Sequence, residues 1–427
     1  MSTRAPAGLA RRTSAAAWAV FVVFAVNGLG VASWAARIPA VRDGLGYSEA
    51  QMGLLLLTGA VGSVLALPLS GMISSRLGAA RSVVAFAAVC AVGYVTACLG
   101  VLESSPLLVR AGLFVGGIGI GVWDAAMNLE GAVVEQRLGR AIMPRFHAAY
   151  SFGTVAGAGL GALAAGAGVP LGVHVGVIVV LDVVAVAVAV RWFLPTVAGA
   201  AAHADAAAGA AGADPGTAVQ PEHAPHSFRD TLSTWREPRT LLVGLVVLAA
   251  ALTEGAANDW VGLAVVDGFG AVESLGALGL ALFLAAMTGA RLAGTVLIDR
   301  LGRVAVLRLS GAAALAGVLV FTLVPVLPLA LGGVLLWGAG AALGFPLGMS
   351  AASDDPRRAG LRVATVSTIG YSAFFVGPAL IGLLAEHTGY RHALLVLAVP
   401  VALGLLVAGA ARPLRAGDDR AAGTPSH

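Results

Sequence analysis

Lysine is missing from these 427 residues, so all 26 basic side chains are arginine, and charged residues of both signs amount to only 11%. An ordinary soluble domain carries about 25% charged residues, so this scarcity points away from a soluble fold. Cysteine is nearly absent too. Cys90 and Cys98 lie in one apolar segment with no second pair and no histidine nearby, which argues against a disulfide framework or a metal site. The net charge of +4 and pI near 9.6 come without a dense basic patch interleaved with aromatics, so no nucleic-acid partner is expected. Neither a Ser-His-Asp arrangement, nor a paired-histidine metal motif, nor a Gly-Lys-Ser/Thr nucleotide loop is present. The expectation is a protein that is not an enzyme and uses no cofactor.

What is abundant is apolar. Hydrophobic residues make up 58%, glycine occurs 58 times, and the mean hydropathy is +0.90. A bilayer crossing needs about 20 apolar residues, and the apolar runs predict spans near 15–37, 51–73, 80–101, 107–133, 146–167 and 170–193, then 239–263, 275–298, 304–325, 327–350, 363–385 and 391–411. The predicted fold class is therefore an all-α integral membrane protein of twelve transmembrane helices in two six-helix repeats. Residues 1–196 form one half, 238–412 the other, 197–237 a small-sided flexible linker, and 413–427 a tail. The N-terminal run after Arg4, Arg11 and Arg12 is long enough to span by itself and reads as the first helix, not a cleaved signal. Arginines favour the inner side of short loops. Most of them fall on one side (Arg76, Arg81, Arg137, Arg140, Arg229, Arg236, Arg300, Arg303, Arg357 and Arg412 among them), whereas Arg37, Arg42, Arg110 and Arg391 fall on the other. Both termini are then expected in the cytoplasm of a multi-pass cell-membrane protein, with the lipid bilayer as its surroundings and a monomer as its working state.

The halves echo each other. Tyr150-Ser151 in the fifth span matches Tyr371-Ser372 in the eleventh, about 221 residues on, and SSRLG at Ser74–Gly78 matches IDRLGR at Ile298–Arg303, about 224 on. Repeats of this sort mark secondary transporters. The second and third spans, and again the eighth and ninth, are joined by versions of Gly-x-x-x-Asp-Arg-x-Gly-Arg. The first keeps Gly71, Arg76 and Gly78 with Ser75 at the acid position; the second keeps Asp299, Arg300, Gly302 and Arg303 with Thr295 for the glycine. In these elements the chain resembles the major facilitator superfamily. That resemblance implies a gating role for Arg76, Gly78, Asp299, Arg300, Gly302 and Arg303. The fourth-span sequence GVWDAAMN, with Asp124 and Asn128, is similar to an element of the fucose-permease-like sugar/proton symporters. The fifth span from Phe146-His147 and the seventh with Glu254 ahead of Trp260 resemble the same group. The first span has Asn27 and Ser33 where those symporters carry an acid. What the resemblance implies is movement of a small solute by alternating access, with protons as a second partner.

A carboxylate in the middle of a bilayer costs at least ~2.5 kcal/mol, so one kept there has a use or a partner. Asp124 and Asn128 lie four residues apart on one helix face, and the seventh span repeats this with Glu254 and Asn258. Both acids are proton-coupling candidates. Asn27, Trp34, Trp123 and Asn128 from the first half are candidates for contact with the solute, as are His147 and Tyr150 of the fifth span. Asn258, Trp260 and Tyr371 are the candidates from the second half. Glu130 and Asp259 lie about 240° and 140° around their helices from the main acids, and Asp182 in the sixth span is expected to make an interhelical hydrogen bond. The runs Gly116-Gly117-x-Gly119-x-Gly121 and Gly153-x-x-x-Gly157 predict close helix contacts. Import, export and a receptor that binds without moving its solute are all open at this point.

Overall fold

The computed structural model describes residues 7–139, 142–194, 233–355 and 358–414. The proposed linker and tail lie outside them, apart from residues 233–237 of the one and 413–414 of the other. Among the described residues there is helix and no strand. In chain order the helices are α1 (Ala7–Ala35), α2 (Ile38–Leu45), α3 (Glu49–Leu77), α4 (Ala79–Leu102), α5 (Pro106–Leu138), α6 (Met143–Gly166) and α7 (Leu171–Ala189). They continue with α8 (Pro238–Phe269), α9 (Glu273–Leu301), α10 (Arg303–Leu323), α11 (Leu327–Ala341), α12 (Gly344–Ala352), α13 (Ala359–Tyr371), α14 (Ala373–Ala393) and α15 (Ala398–Val407). Two compact units result, residues 1–224 with 271–281, and residues 225–270 with 282–427.

The helices are apolar all round, as lipid-facing helices must be. Leu65, Leu69, Val92, Leu163, Val180 and Leu406 are all more than 40% exposed, which only a hydrocarbon surrounding tolerates in such numbers. Eleven segments are long and apolar enough to cross a membrane. The last of these runs 53 residues, far more than the ~20 a bilayer needs, and the chain breaks inside it at Gly389 (φ 75°, ψ 156°). That break separates two crossings, so the count is consistent with the twelve expected. Differences of detail are physical. A short helix, α2, follows the first span, and the tenth and eleventh spans each divide, at Ala342–Leu343 and at Ser372.

Sequence patterns explain the joints. Ser48 and Gln51 form a capping box at the start of α3, where Ser48 N–H donates to Gln51 Oε1 at 3.0 Å and Gln51 N–H to Ser48 Oγ at 3.4 Å. The repeated Arg-Leu-Gly element makes the α3–α4 and α9–α10 turns. Gly78 (φ 79°, ψ 155°) and Gly302 (φ 79°, ψ 158°) adopt the same backbone shape, one open essentially to glycine alone.

Small residues set the packing inside the first unit. The backbone of Gly153 and Gly157 on α6 lies directly against Ala25 and Leu29 of α1. Gly117 and Gly121 on α5 meet Gly59 and Ser63 of α3, while Gly112 and Gly119 on its other side meet Ala97 and Cys90 of α4. Both glycine runs therefore serve helix contact, as their spacing predicts. In the second unit Gly317 and Gly340 bring α10 and α11 together in the same manner, against Trp337 and Ala314.

Candidate functional site

Within the first unit, α5 presents Asp124 and Asn128 one turn apart. Asn128 Nδ2 donates to the Asp124 backbone carbonyl at 2.9 Å and to its carboxylate Oδ1 at 3.3 Å. Asp124 makes no ion pair among the described residues. Glu130, further along α5, is buried and accepts the Leu194 backbone N–H at 2.8 Å, so its carboxylate closes the end of the sixth span. Asn27 on α1 is buried with its Nδ2 unpartnered, and Trp123 is buried with its indole N–H unpartnered. Trp34 stacks on Tyr94 of α4 with centroids 5.1 Å apart and planes at 13°, which places it in the packing of the unit. His147 on α6 is exposed and meets the edge of Phe24, while Tyr150 is half-buried three residues along the same helix.

Arg37 departs from its reading as a loop charge. Only 3% of it is exposed, and Nε donates to Glu273 at 2.6 Å while Nη2 donates to the Val169 carbonyl at 3.0 Å. Asp182 departs as well, since among the described residues it makes no interhelical hydrogen bond and its Oδ1 is buried without a partner.

The second unit repeats the acid-and-amide spacing, but the Glu254 carboxylate is bonded by an arginine instead of by its asparagine. Asn258 Nδ2 donates to the Glu254 carbonyl at 3.0 Å, as Asn128 does to Asp124. Glu254, however, is paired with Arg291 of α9. Arg291 Nη2 reaches Glu254 Oε2 at 2.9 Å, and its Nε donates to the Ala342 carbonyl, where the tenth span divides, at 3.2 Å. Arg291 escaped the sequence reading, although an arginine inside an apolar span itself signals an acidic partner. Trp260 is fully buried against Tyr390, with centroids 5.5 Å apart. Tyr371 is 43% exposed beside Phe345 and Phe374.

Of the gating candidates, Arg303 is the one engaged. Its Nη1 donates to both carboxylate oxygens of Asp354 at 2.9 Å, and Arg239 Nη2 reaches the same carboxylate at 2.7 Å. Arg239 also donates to the carbonyls of Ala410 and Arg412, and Arg303 to that of Ala411, so the two guanidinium groups cap the end of the last helical segment. Gly302 shapes the turn that presents Arg303. Arg76, Asp299 and Arg300 are exposed and form no ion pair among the described residues, while Gly78 supplies the matching turn in the first unit. A second cluster adjoins, with Glu237 bound by Arg358, by Arg362 at 2.7 Å and by Thr240 at 2.7 Å, and Arg362 also paired with Asp355 at 3.1 Å. Burial works to push the Glu237 carboxyl up. The hydrogen bonds from Arg362 and Thr240 and the charges of Arg362 and Arg358 outweigh it and hold the group below its ordinary value.

Eleven segments long and apolar enough to cross a membrane, the last of them broken at Gly389, make this a multi-pass membrane protein, and comparisons with known proteins identify its family. The Major Facilitator Superfamily matches residues 19–378, and the chain belongs to that family. It is 33% identical over 400 residues to the "Uncharacterized transporter y4wD" of Sinorhizobium fredii, covering 90% of this chain and 95% of that one. Its fold is shared with the nucleoside transporter NupG (TM-score 0.67, 14% identity, 94% and 98% of the two chains). A D-xylose-proton symporter shares it too (TM-score 0.64, 13% identity, 92% and 96%). The protein is thus a multi-pass membrane carrier for small solutes and not an enzyme.

Proposed function

We propose that the protein is a secondary active carrier that moves a small polar solute by alternating access, with a proton carried on Asp124. The observation behind this reading is the contrast between two acid-and-amide pairs, one in each unit. Asp124 and Glu254 sit in matching acid-and-amide pairs, yet Glu254 is neutralised by Arg291 at 2.9 Å whereas Asp124 has only Asn128 beside it. A carboxylate inside a span without a counter-charge is costly. Taking up a proton removes that cost, and giving it up on the other side of the membrane completes a cycle. Glu254, held by a guanidinium, needs no proton for neutrality and serves as a fixed polar group instead.

Sugar-like or nucleoside-like solutes fit this reading, in line with the nucleoside and xylose transporters that share the fold. Such solutes are neutral and rich in hydroxyls, and the half-buried amide of Asn128 in the first unit offers both donors and an acceptor to them. In the same reading, Arg76, Asp299, Arg300 and the Arg303–Asp354–Arg239 cluster face the cytoplasm and take part in gating. Both termini and the 197–237 linker lie on that side of the cell membrane.

Solute-driven proton movement in proteoliposomes tests this directly. Pools of sugars, nucleosides and amino acids are added outside vesicles loaded with a pH dye. Acidification of the lumen on solute entry indicates symport, and alkalinisation indicates exchange. No pH change for any solute that is demonstrably transported would remove the proton from the account.

A further inference from the structure

The interior of the first unit holds a second polar cluster, distinct from the Asp124–Asn128 pair. Helix α7 is apolar along most of its length, yet Asp182 lies in its middle and is 3% exposed. One carboxylate oxygen, Oδ2, presses on the backbone of Gly30 in α1 so closely that a side chain at that position would collide with it. The other, Oδ1, is buried without a partner, and so are Asn27 Nδ2 of α1 and Trp123 Nε1 of α5. These three side chains line one cavity, together with Cys90 and Tyr94 of α4, and its free volume is about 10 Å³.

That volume is about what one water requires, given two to four polar partners. The valences match. Two N–H groups can donate to the lone pairs of a water, whose hydrogens then face the carboxyl oxygen. Among the described residues no cation pairs with Asp182. The ionisable groups beside it are Cys90 and Tyr94 from α4, neither of them basic, and α1 and α5 offer only Asn27 and Trp123 to the cavity. His174 on α7 itself stands two turns away with both ring nitrogens unbonded.

We propose that Asp182, Asn27 and Trp123 form a binding site for one water molecule and one exchangeable proton, separate from Asp124. In its protonated form Asp182 needs no counter-charge, and the water links it to α1 and α5. Trp123 directly precedes Asp124, so the state of this site bears on the helix turn that carries Asp124. The inference stands whether or not Asp124 carries the transported proton.

Infrared difference spectra of the full-length protein in lipid, recorded at neutral pH in H2O and D2O, test it through the carbonyl stretch of protonated carboxyl groups. A component of that band should vanish in Asp182→Asn and persist in Asp124→Asn. Its frequency should rise in Trp123→Phe, which deletes one donor to the water. A band that survives Asp182→Asn, or the absence of any such band in the wild type, overturns the proton. An unshifted band in Trp123→Phe overturns the bridging water. Should Asp182→Asn fail to fold, the Trp123→Phe shift decides alone. Loss of solute-driven proton flux in Asp124→Asn with the Asp182 band intact separates this site from the coupling one.

Discussion

The Glu254–Arg291 pair offers a magnitude that can be worked from geometry. Removing one partner of a fully buried ion pair costs ~3–5 kcal/mol, because the remaining charge is stranded. Here the side chains are 26% and 29% exposed, and partial solvation reduces the cost to about 2 kcal/mol for Glu254→Gln. Arg291→Met should cost about the same or slightly more, since it also deletes the Nε donor to the Ala342 carbonyl. The double variant removes both charges together, so its loss should be smaller than the sum of the singles by about 1–2 kcal/mol, within the range seen for contacting residues. Reversible unfolding of the purified carrier in detergent and denaturant measures all four corners of this cycle. Additive losses, with no coupling between the two sites, would refute the claim that Arg291 neutralises Glu254.

Gly153→Val should push α6 off the Ala25 carbonyl on α1 and cost about 1–3 kcal/mol, seen as a lower melting temperature. Gly159→Ala, with open space around its added methyl, should leave that temperature unchanged. Asp354→Ala strands both Arg303 and Arg239, whose carboxylate partner is 11% exposed, and should cost ~3 kcal/mol in unfolding free energy. Glu237 adds a pH signature. Its carboxyl is held below the ordinary value of 4.5, so its contribution to stability is complete above that value and is lost as pH falls through the lower folded one. Glu237→Gln should flatten that acid limb of the stability curve.

The glycine spacings predicted close helix contacts, because close approach needs a missing side chain and little else, and the structure supplies the partners: α1 for α6, and α3 and α4 for α5. The paired Asn128 and Asn258 were legible for a similar reason, since residues four apart on a helix meet whatever surrounds them. Partners across helices were less accessible. Arg291 leaves little mark in the sequence, because it stands alone among apolar and small residues in its span. Asp354 was hidden in a loop, although the arginine-rich elements around it called for an acid. The junction at Gly389 was legible, because Glu386, His387, Arg391 and His392 interrupt the apolar run and separate the spans expected at 363–385 and 391–411. Asp182 was expected to bond a neighbouring helix; the close packing of Gly30 brings it to α1, but no donor on α1 reaches its Oδ1.

The central claim is that Asp124 carries the coupled proton. Solute-driven pH change in proteoliposomes, compared between wild type and Asp124→Asn, tests it most directly, with binding of the same solute measured alongside. The account predicts that the variant still binds the solute and loses the proton flux and the uphill accumulation it drives. A variant that accumulates solute with an undiminished proton flux would contradict it.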